Sequence, residues 1–393
     1  MNAGRLPPLL YTIAGLKSSS GGTSSAVTAA CSGLARAGVA VDLVSQEFGD
    51  PGDRNILPEA GAVRVSLAQA SRLPLLGTVY SPGLRALVKR TCRDAGTGLV
   101  HDHGLWLPAN HAVAAVCRDL RLPLVASPHG MLSPDALAHD KGKKRVAWWA
   151  FQRRDLSSAA AVCVTSGQEA DDVRAAGCGR PIAVIPHGVD MPAMPTGSAA
   201  RDGPRIALYL GRIHPIKGLL ALVEAWATVR PQGWRVVVAG PDEEGYRKVV
   251  EEAVARAGLG DAFAFPGAVF GAAKTALYES ASLFVSPSLS ENFGVTIAEA
   301  LAHRLPVIAT KGAPWGSIAQ EGCGWWVDPG ARALAAAIRE ATALPDAELR
   351  AMGGRGRLYV ERSFDWARVV AMLIALYGWV LGNEAQPDFV AGK

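Results

Sequence analysis

Two carboxylates eight positions apart, Glu291 and Glu299, stand in the segment Ser290-Glu-Asn-Phe-Gly-Val-Thr-Ile-Ala-Glu-Ala-Leu-Ala302. The apolar run Leu283-Phe-Val-Ser-Pro-Ser288 leads into it. A buried strand should therefore enter a loop carrying Glu291, and a helix should open at about Gly294 with Glu299 near its first turn. Such a loop sets two hydrogen-bond acceptors beside the amides of a helix N-terminus, which attract anionic oxygens. A ligand that offers both hydroxyls and phosphates, such as a nucleotide sugar, matches that pairing.

A second basic constellation follows the strand-like run Ile206-Ala-Leu-Tyr-Leu210: Gly211-Arg212-Ile-His-Pro-Ile-Lys217-Gly218. Arg212 offers a planar fork and Lys217 a flexible point charge, and together they could neutralise a diphosphate leaving group. Near the start of the chain, Gly21 and Gly22 follow a first strand in a Ser-rich loop, where backbone could approach a phosphate or an acceptor. His129, in Ser-Pro-His-Gly-Met, should emerge just after a strand. His101, Asp102 and His103 alternate along a strand end and so point to opposite faces, which argues against a shared metal. The chain has no G-x-G-x-x-G after its first strand, no Walker A loop and no Asp-x-Asp pair. Nicotinamide chemistry is disfavoured, and a metal-independent reaction without a resident cofactor is the expectation.

The Gly-Arg…Lys-Gly loop, the segment Val184-Ile-Pro-His-Gly-Val-Asp190 and the glutamate pair occur together in the order and spacing of the retaining glycosyltransferases of family 4, which the chain resembles over nearly its whole length. The resemblance implies a GT-B fold, two doubly wound Rossmann-like α/β domains facing a central cleft. It also implies retaining, front-face transfer of a hexose from a nucleotide diphosphate sugar, in UDP or GDP form, to a saccharide acceptor. By the same resemblance Glu291 would contact the transferred sugar and Glu299 the nucleotide ribose. Asn292, Phe293, Gly294 and Val295 would meet sugar and phosphates through backbone amides, with Gly211 on the loop that carries Arg212 and Lys217. His129 would lie against the sugar and relay the acceptor proton, with His103 and Trp106 on the acceptor side. His187 departs from the pattern, since many members carry Asn there. A nucleotide-sugar epimerase or phosphorylase on this fold, or a silent sugar-nucleotide sensor, stays open as an alternative.

The elements that must position these residues can be read coarsely. The 393 residues, 49% hydrophobic, suffice for two cores of alternating strands and Ala-rich helices. Strands are expected at residues 9–14, 39–44, 98–101, 123–126, 161–165 and 182–185, and again at 205–210, 234–239, 262–265, 281–285 and 306–309. Residues 1–185 are expected to form an acceptor-side domain, 186–204 a Pro- and Gly-rich linker, and 205–366 the donor domain. Residues 367–393 should be a C-terminal helix packing back on the first domain.

Six scattered cysteines without metal spacing fit a reducing, cytoplasmic setting. Net charge of +5 is too small to indicate nucleic acid. Val369 to Leu381 is too short to span a bilayer. The stretch Lys141-Gly-Lys-Lys-Arg-Val-Ala-Trp-Trp-Ala-Phe-Gln-Arg-Arg154 could lie on an anionic membrane surface, or be a surface helix with its tryptophans turned inward. The first alternative would place the protein peripherally at the inner face of the plasma membrane, acting on a lipid-linked saccharide in surface polysaccharide assembly.

Overall fold

Short runs rich in Val, Leu and Ala become strands buried on both faces, as parallel strands under helices must be. The structure, a computed structural model, describes residues 6–17, 22–47, 54–59, 61–72, 79–193 and 203–392. It divides into two compact units, Met1–Gly188 with Trp366–Lys393, and Val189–Asp365.

In the first unit the strands are β1 (Leu9–Ile13), β2 (Val41–Glu47), β3 (Arg64–Gln69), the pair β4 (Ser71–Arg72) and β5 (Val79–Tyr80), then β6 (Leu99–His103), β7 (Leu124–Ser127), β8 (Ala161–Val164) and β9 (Ile182–Val184). The main sheet runs β3-β2-β1-β6-β7-β8-β9 with all neighbours parallel, and β4 and β5 form a separate antiparallel pair. Along β1 the side chains alternate: Leu9, Tyr11 and Ile13 enter one core with the helices Gly22–Arg36 and Trp366–Val380, while Leu10 enters the other with Leu84–Ala95 and Pro108–Leu120.

In the second unit β10 (Arg205–Leu210), β11 (Trp234–Ala239), β12 (Phe263–Gly267), β13 (Leu283–Ser286), β14 (Val307–Thr310) and β15 (Gly324–Val327) form a parallel sheet in the order β12-β11-β10-β13-β14-β15. Both orders reverse direction beside the first strand, between β1 and β6 and between β10 and β13. These are the doubly wound switch points where α/β sheets open a crevice at their carboxyl ends.

The chain leaves the first unit at Gly188 and returns at Trp366, whereas the sequence placed these boundaries at 185 and 366. Val189 belongs to the second unit because it packs in that unit's core and its amide bonds Phe364 O at 2.9 Å. The returning segment forms the helix Trp366–Val380 and a last strand, β16 (Val390–Ala391), which joins the sheet edge antiparallel to β9. Among the described residues no helix is long and apolar enough to cross a membrane; the run from Val369 is a core helix.

Candidate functional site

The loops after β10 and β13 meet at the second unit's switch point. The first is pinned by Tyr209, whose hydroxyl donates to Arg212 O at 2.7 Å, and by the amide of Ile213, which donates to Pro241 O at 2.8 Å. It turns through Pro215–Lys217 and ends at Gly218, with φ +69°. A Cβ at Gly218 would stand 2.1 Å from Pro287 O, so only glycine lets the two loops touch here. Across that contact the Leu289 amide donates to Ile216 O at 2.8 Å, and Lys217 Nζ reaches Glu291 Oε1 at 2.6 Å.

Glu291 is further fixed by Ser288 Oγ, which donates to the same oxygen at 2.9 Å, and by its own amide, bonded to Gly312 O at 2.8 Å. The side chains of Lys217 and Glu291 are only 13% and 17% exposed. Removing either would strand a charge with little water, a loss on the order of 3–5 kcal/mol for a fully buried pair. Arg212 is held more loosely. It bonds Glu243 at 2.6 Å, but both side chains are about two-fifths exposed, and such pairs contribute about 0–1 kcal/mol. The guanidinium can leave Glu243 for a better anion at small cost.

Gly294, φ +77°, caps the helix Val295–Ala302. The Ile297 amide bonds back to Gly294 O at 2.9 Å, while Val295 and Thr296, at the first two helical positions, have no i−4 carbonyl within the helix to bond. Phe293 is buried against Trp315 and Phe364 at ring distances of 5.5 and 5.7 Å, so it can meet a ligand only through its backbone. Glu299 lies one turn further in. Its Oε1 takes Lys274 Nζ at 2.6 Å and its Oε2 takes Tyr278 OH at 2.8 Å. Burial, and then the Glu299 charge, push the Tyr278 phenol well above its ordinary value, so it remains a donor. Lys274 was missed in the sequence. Its signal was the spacing to Tyr278, which puts both on one face of the helix Gly271–Ser280.

In the first unit, Gly22 opens the helix Gly22–Arg36, and Gly21 lies outside the described residues. His101 and His103 share one face of β6, while Asp102 faces the other way onto Thr12 Oγ1 at 2.6 Å and Asn110 Nδ2 at 2.9 Å. His129, in the left-handed region at φ +52°, follows β7. His101, His103, His129 and His187 stack in sequence at centroid distances of 4.3, 5.2 and 5.6 Å. Together with Tyr11 and Trp366 they line a cavity of about 40 Å³.

Burial disfavours the charged ring throughout this stack. His101 is pushed down to about 3 and His187 to about 4, and His103 and His129 fall well below their ordinary value. Burial also raises Asp102 to about 7. His103 is buried beside His129, and Trp106 donates from its ring to Met131 O at 3.1 Å. Among the described residues no group of three or more His, Cys, Asp or Glu is arranged to hold a metal ion.

Comparison with known proteins gives a consistent picture. Residues 20–191 match the model of glycosyltransferase family 4, and residues 190–357 that of glycosyl transferases group 1. The GDP-mannose:cellobiosyl-diphosphopolyprenol alpha-mannosyltransferase of Xanthomonas campestris is 31% identical over 68% of this chain and 70% of its own. A D-inositol 3-phosphate glycosyltransferase of Corynebacterium glutamicum is 26% identical over 93% of both chains. Among solved structures, sucrose-phosphate synthase from Thermosynechococcus elongatus superposes with a TM-score of 0.76 at 25% identity, over 96% of this chain and 100% of that one. Anabaena HepE in complex with UDP and glucose gives 0.73 at 20% identity, over 93% and 98%.

Proposed function

Because the chain belongs to the family 4 glycosyltransferases of GT-B fold, we propose that it transfers a hexose, with retention and without a metal ion or other cofactor, from a nucleotide diphosphate sugar to a lipid-linked saccharide. The observation that carries the reading is the 2.6 Å ion pair of Lys217 with Glu291, made where the two switch-point loops touch.

In the proposed reaction the bond between the anomeric carbon and the diphosphate breaks. The acceptor oxygen bonds to that carbon on the same face, and the acceptor proton passes to the departing phosphate. Arg212, released from Glu243, and Lys217 take the developing charge, the work a metal does elsewhere. Glu291 holds the sugar, and Glu299 accepts hydrogen bonds from the ribose hydroxyls with Lys274 beside it. The first-turn amides at Val295 face the phosphates, and His129 contacts the sugar.

The Xanthomonas relative, by its name, uses GDP-mannose and a polyprenol diphosphate-linked acceptor. A lipid-linked acceptor, and with it a place in surface polysaccharide assembly at the inner membrane face, is the proposal that follows. No role for nucleic acid is proposed.

A panel of nucleotide sugars, GDP-mannose and UDP-glucose first, tests this by thermal shift and turnover. A donor at 100 times its Kd should add about 2.7 kcal/mol to stability. The product should keep the anomeric configuration, and EDTA should leave the rate unchanged. Inversion, or activity lost to EDTA and restored by Mg²⁺, would overturn the mechanism. Turnover without any acceptor would favour an epimerase.

A further inference from the structure

The buried histidines of the first unit are of two kinds, and hydrogen-bond polarity separates them. Ser127 has one hydroxyl proton, which goes to the Cys163 carbonyl at 2.9 Å. Its oxygen must then accept from His101 Nε2, also at 2.9 Å. Neutral His101 is left with a lone pair on Nδ1, which takes the proton of Tyr377 OH at 2.7 Å, and Tyr377 in turn accepts from Tyr11 OH. Every atom in this chain has a partner and a direction, so His101 is a structural histidine with a fixed tautomer.

His103 and His129 differ. His103 Nδ1 and His129 Nε2 are 2.9 Å apart, and the rings are inclined by 21°. Among the described residues His103 Nε2 and His129 Nδ1 are buried and have no hydrogen-bond partner, and both rings line the cavity. Each such atom costs about 1–3 kcal/mol if left unsatisfied. The geometry around His129 is also over-determined. Its left-handed backbone is held by the next residue, Gly130, whose amide donates to Glu169 Oε1 at 2.7 Å, while Glu169 Oε2 takes the Thr165 amide and hydroxyl, each at 2.8 Å. His129 is one of seven non-glycine residues with positive φ among the described residues, and these bonds to Glu169 hold the turn that follows it.

In a neutral pair one ring donates across the 2.9 Å contact and the other accepts. If His129 Nε2 carries the proton, His103 must carry its own on Nε2. If His103 Nδ1 carries it, His129 must carry its own on Nδ1. The two rings therefore hold the same tautomer and can change it only together, and the two outer nitrogens always present one donor and one acceptor. A hydroxyl, which both donates and accepts, is the group that fits either state.

We infer that His103 is a positioning residue that sets the tautomer of His129, and that the pair forms a site for a hydroxyl group, from a sugar or from water, in the cavity they line. This rests on the reading that His129 contacts the transferred sugar.

Ring ¹⁵N spectra of the full-length protein labelled at histidine, assigned with His103→Asn and His129→Asn, test it directly. At pH 7 both rings should be neutral and share one tautomer. If a sugar hydroxyl is the occupant, GDP-mannose or UDP-glucose should move both resonance sets together while the corresponding nucleotide diphosphate does not. If water is, the rings stay alike and unmoved. Opposite tautomers on the two rings would refute the pairing.

In turnover, His103→Phe should lower kcat about 10- to 100-fold, the scale of a small misplacement of a sugar contact, with donor KM within about threefold of the parent. His103→Asn, which keeps a polar group where Nδ1 stood, should recover most of the loss. A folded His103→Phe variant with the parent's kcat would sink the inference. His129→Ala with the parent's kcat would instead refute the reading on which it rests.

Discussion

Glu291 and Glu299 share a loop and a helix, yet each answers to a different lysine: Lys217 reaches the first and Lys274 the second, both at 2.6 Å. In the proposed reaction they have different tasks. Glu291 is tied to the loop that also carries Arg212, so changing it disturbs the charge arrangement at the reacting centre. Glu299 is tied to Tyr278 and sits a turn deeper, so changing it disturbs ground-state recognition. Glu291→Gln, which preserves shape, should lower kcat by at least about 100-fold with a smaller change in donor KM. Glu299→Gln should raise donor KM about tenfold or more, the worth of a hydrogen bond to a charged group, with kcat nearly kept. Steady-state kinetics decides, and a Glu291→Gln enzyme as active as the parent would remove the assignment. The glutamates, Arg212 and Lys217 were legible because a strand followed by a Gly-containing loop brings them to the sheet's carboxyl end. Lys274 was not read, since its spacing to Tyr278 shows a shared helix face but not the carboxylate, 25 positions later, that both meet. The distinction between His101 and His103 was equally hidden: it depends on the Cys163 carbonyl and on Tyr377, 276 positions away from His101.

At the scale of elements, the stretch from Lys141 to Ser158 is one helical run in which a π turn, Trp148–Gln152, joins the helices Lys141–Ala147 and Arg153–Ser158. The two adjacent tryptophans at the start of that turn point different ways. Trp148 turns inward to Trp106 at a ring distance of 6.0 Å, while Trp149 is 68% exposed beneath the Arg153 guanidinium, and Val146 is 70% exposed. Of the cations, Lys144 is engaged with Ala136 O, whereas Lys141, Lys143, Arg145, Arg153 and Arg154 face solvent. An exposed Trp and Val ringed by cations suits the interface of an anionic bilayer, with about 1 kcal/mol from each nearby basic residue. The parent protein should therefore sediment with anionic vesicles at low salt and be released at high salt. Changing Lys141, Lys143 and Arg145 to Ser should leave it in the supernatant with donor affinity intact; co-sedimentation of that variant would make this a solvated face. Element limits were legible where an unbroken apolar run dominates the strand: β10 and β11 fall on the expected residues. The strand β3, Arg-Val-Ser-Leu-Ala-Gln, was missed because it is a sheet edge with polar and apolar positions mixed; β15, Gly-Trp-Trp-Val, is a partly buried edge strand opened by glycine, and the two residues of β16 carry too little pattern.

For the molecule as a whole, the buried histidines tie stability to pH. His101 and His187 have folded values near 3 and 4 against 6.5 in the unfolded chain, so the stability they confer is present above pH 6.5 and lost as pH falls towards 4. Each contributes a slope of about 1.4 kcal/mol per pH unit in that window. His103 and His129 act in the same direction. Asp102 opposes them: its folded value near 7 against 3.8 unfolded favours the folded state as pH falls between those limits, cancelling about one histidine. Urea unfolding should show stability dropping steeply from pH 6.5 to 5. Asp102→Asn, which removes the opposing group, should steepen that drop by about 1.4 kcal/mol per unit. A stability flat across this range would mean that the rings are not buried as neutral species.

The return of the chain to the first unit after Asp365 also sets an order in time. On the ribosome the segment Val189–Asp365 emerges as one uninterrupted piece and can close its sheet at once. The earlier unit must wait, because Tyr377, the partner of His101 and Tyr11, and the edge strand Val390–Ala391 are translated only afterwards. Synthesis thus reverses the usual sequence in which N-terminal domains mature first. The nascent first unit, its apolar groove for the helix Trp366–Val380 still open, is the intermediate that chaperones would meet.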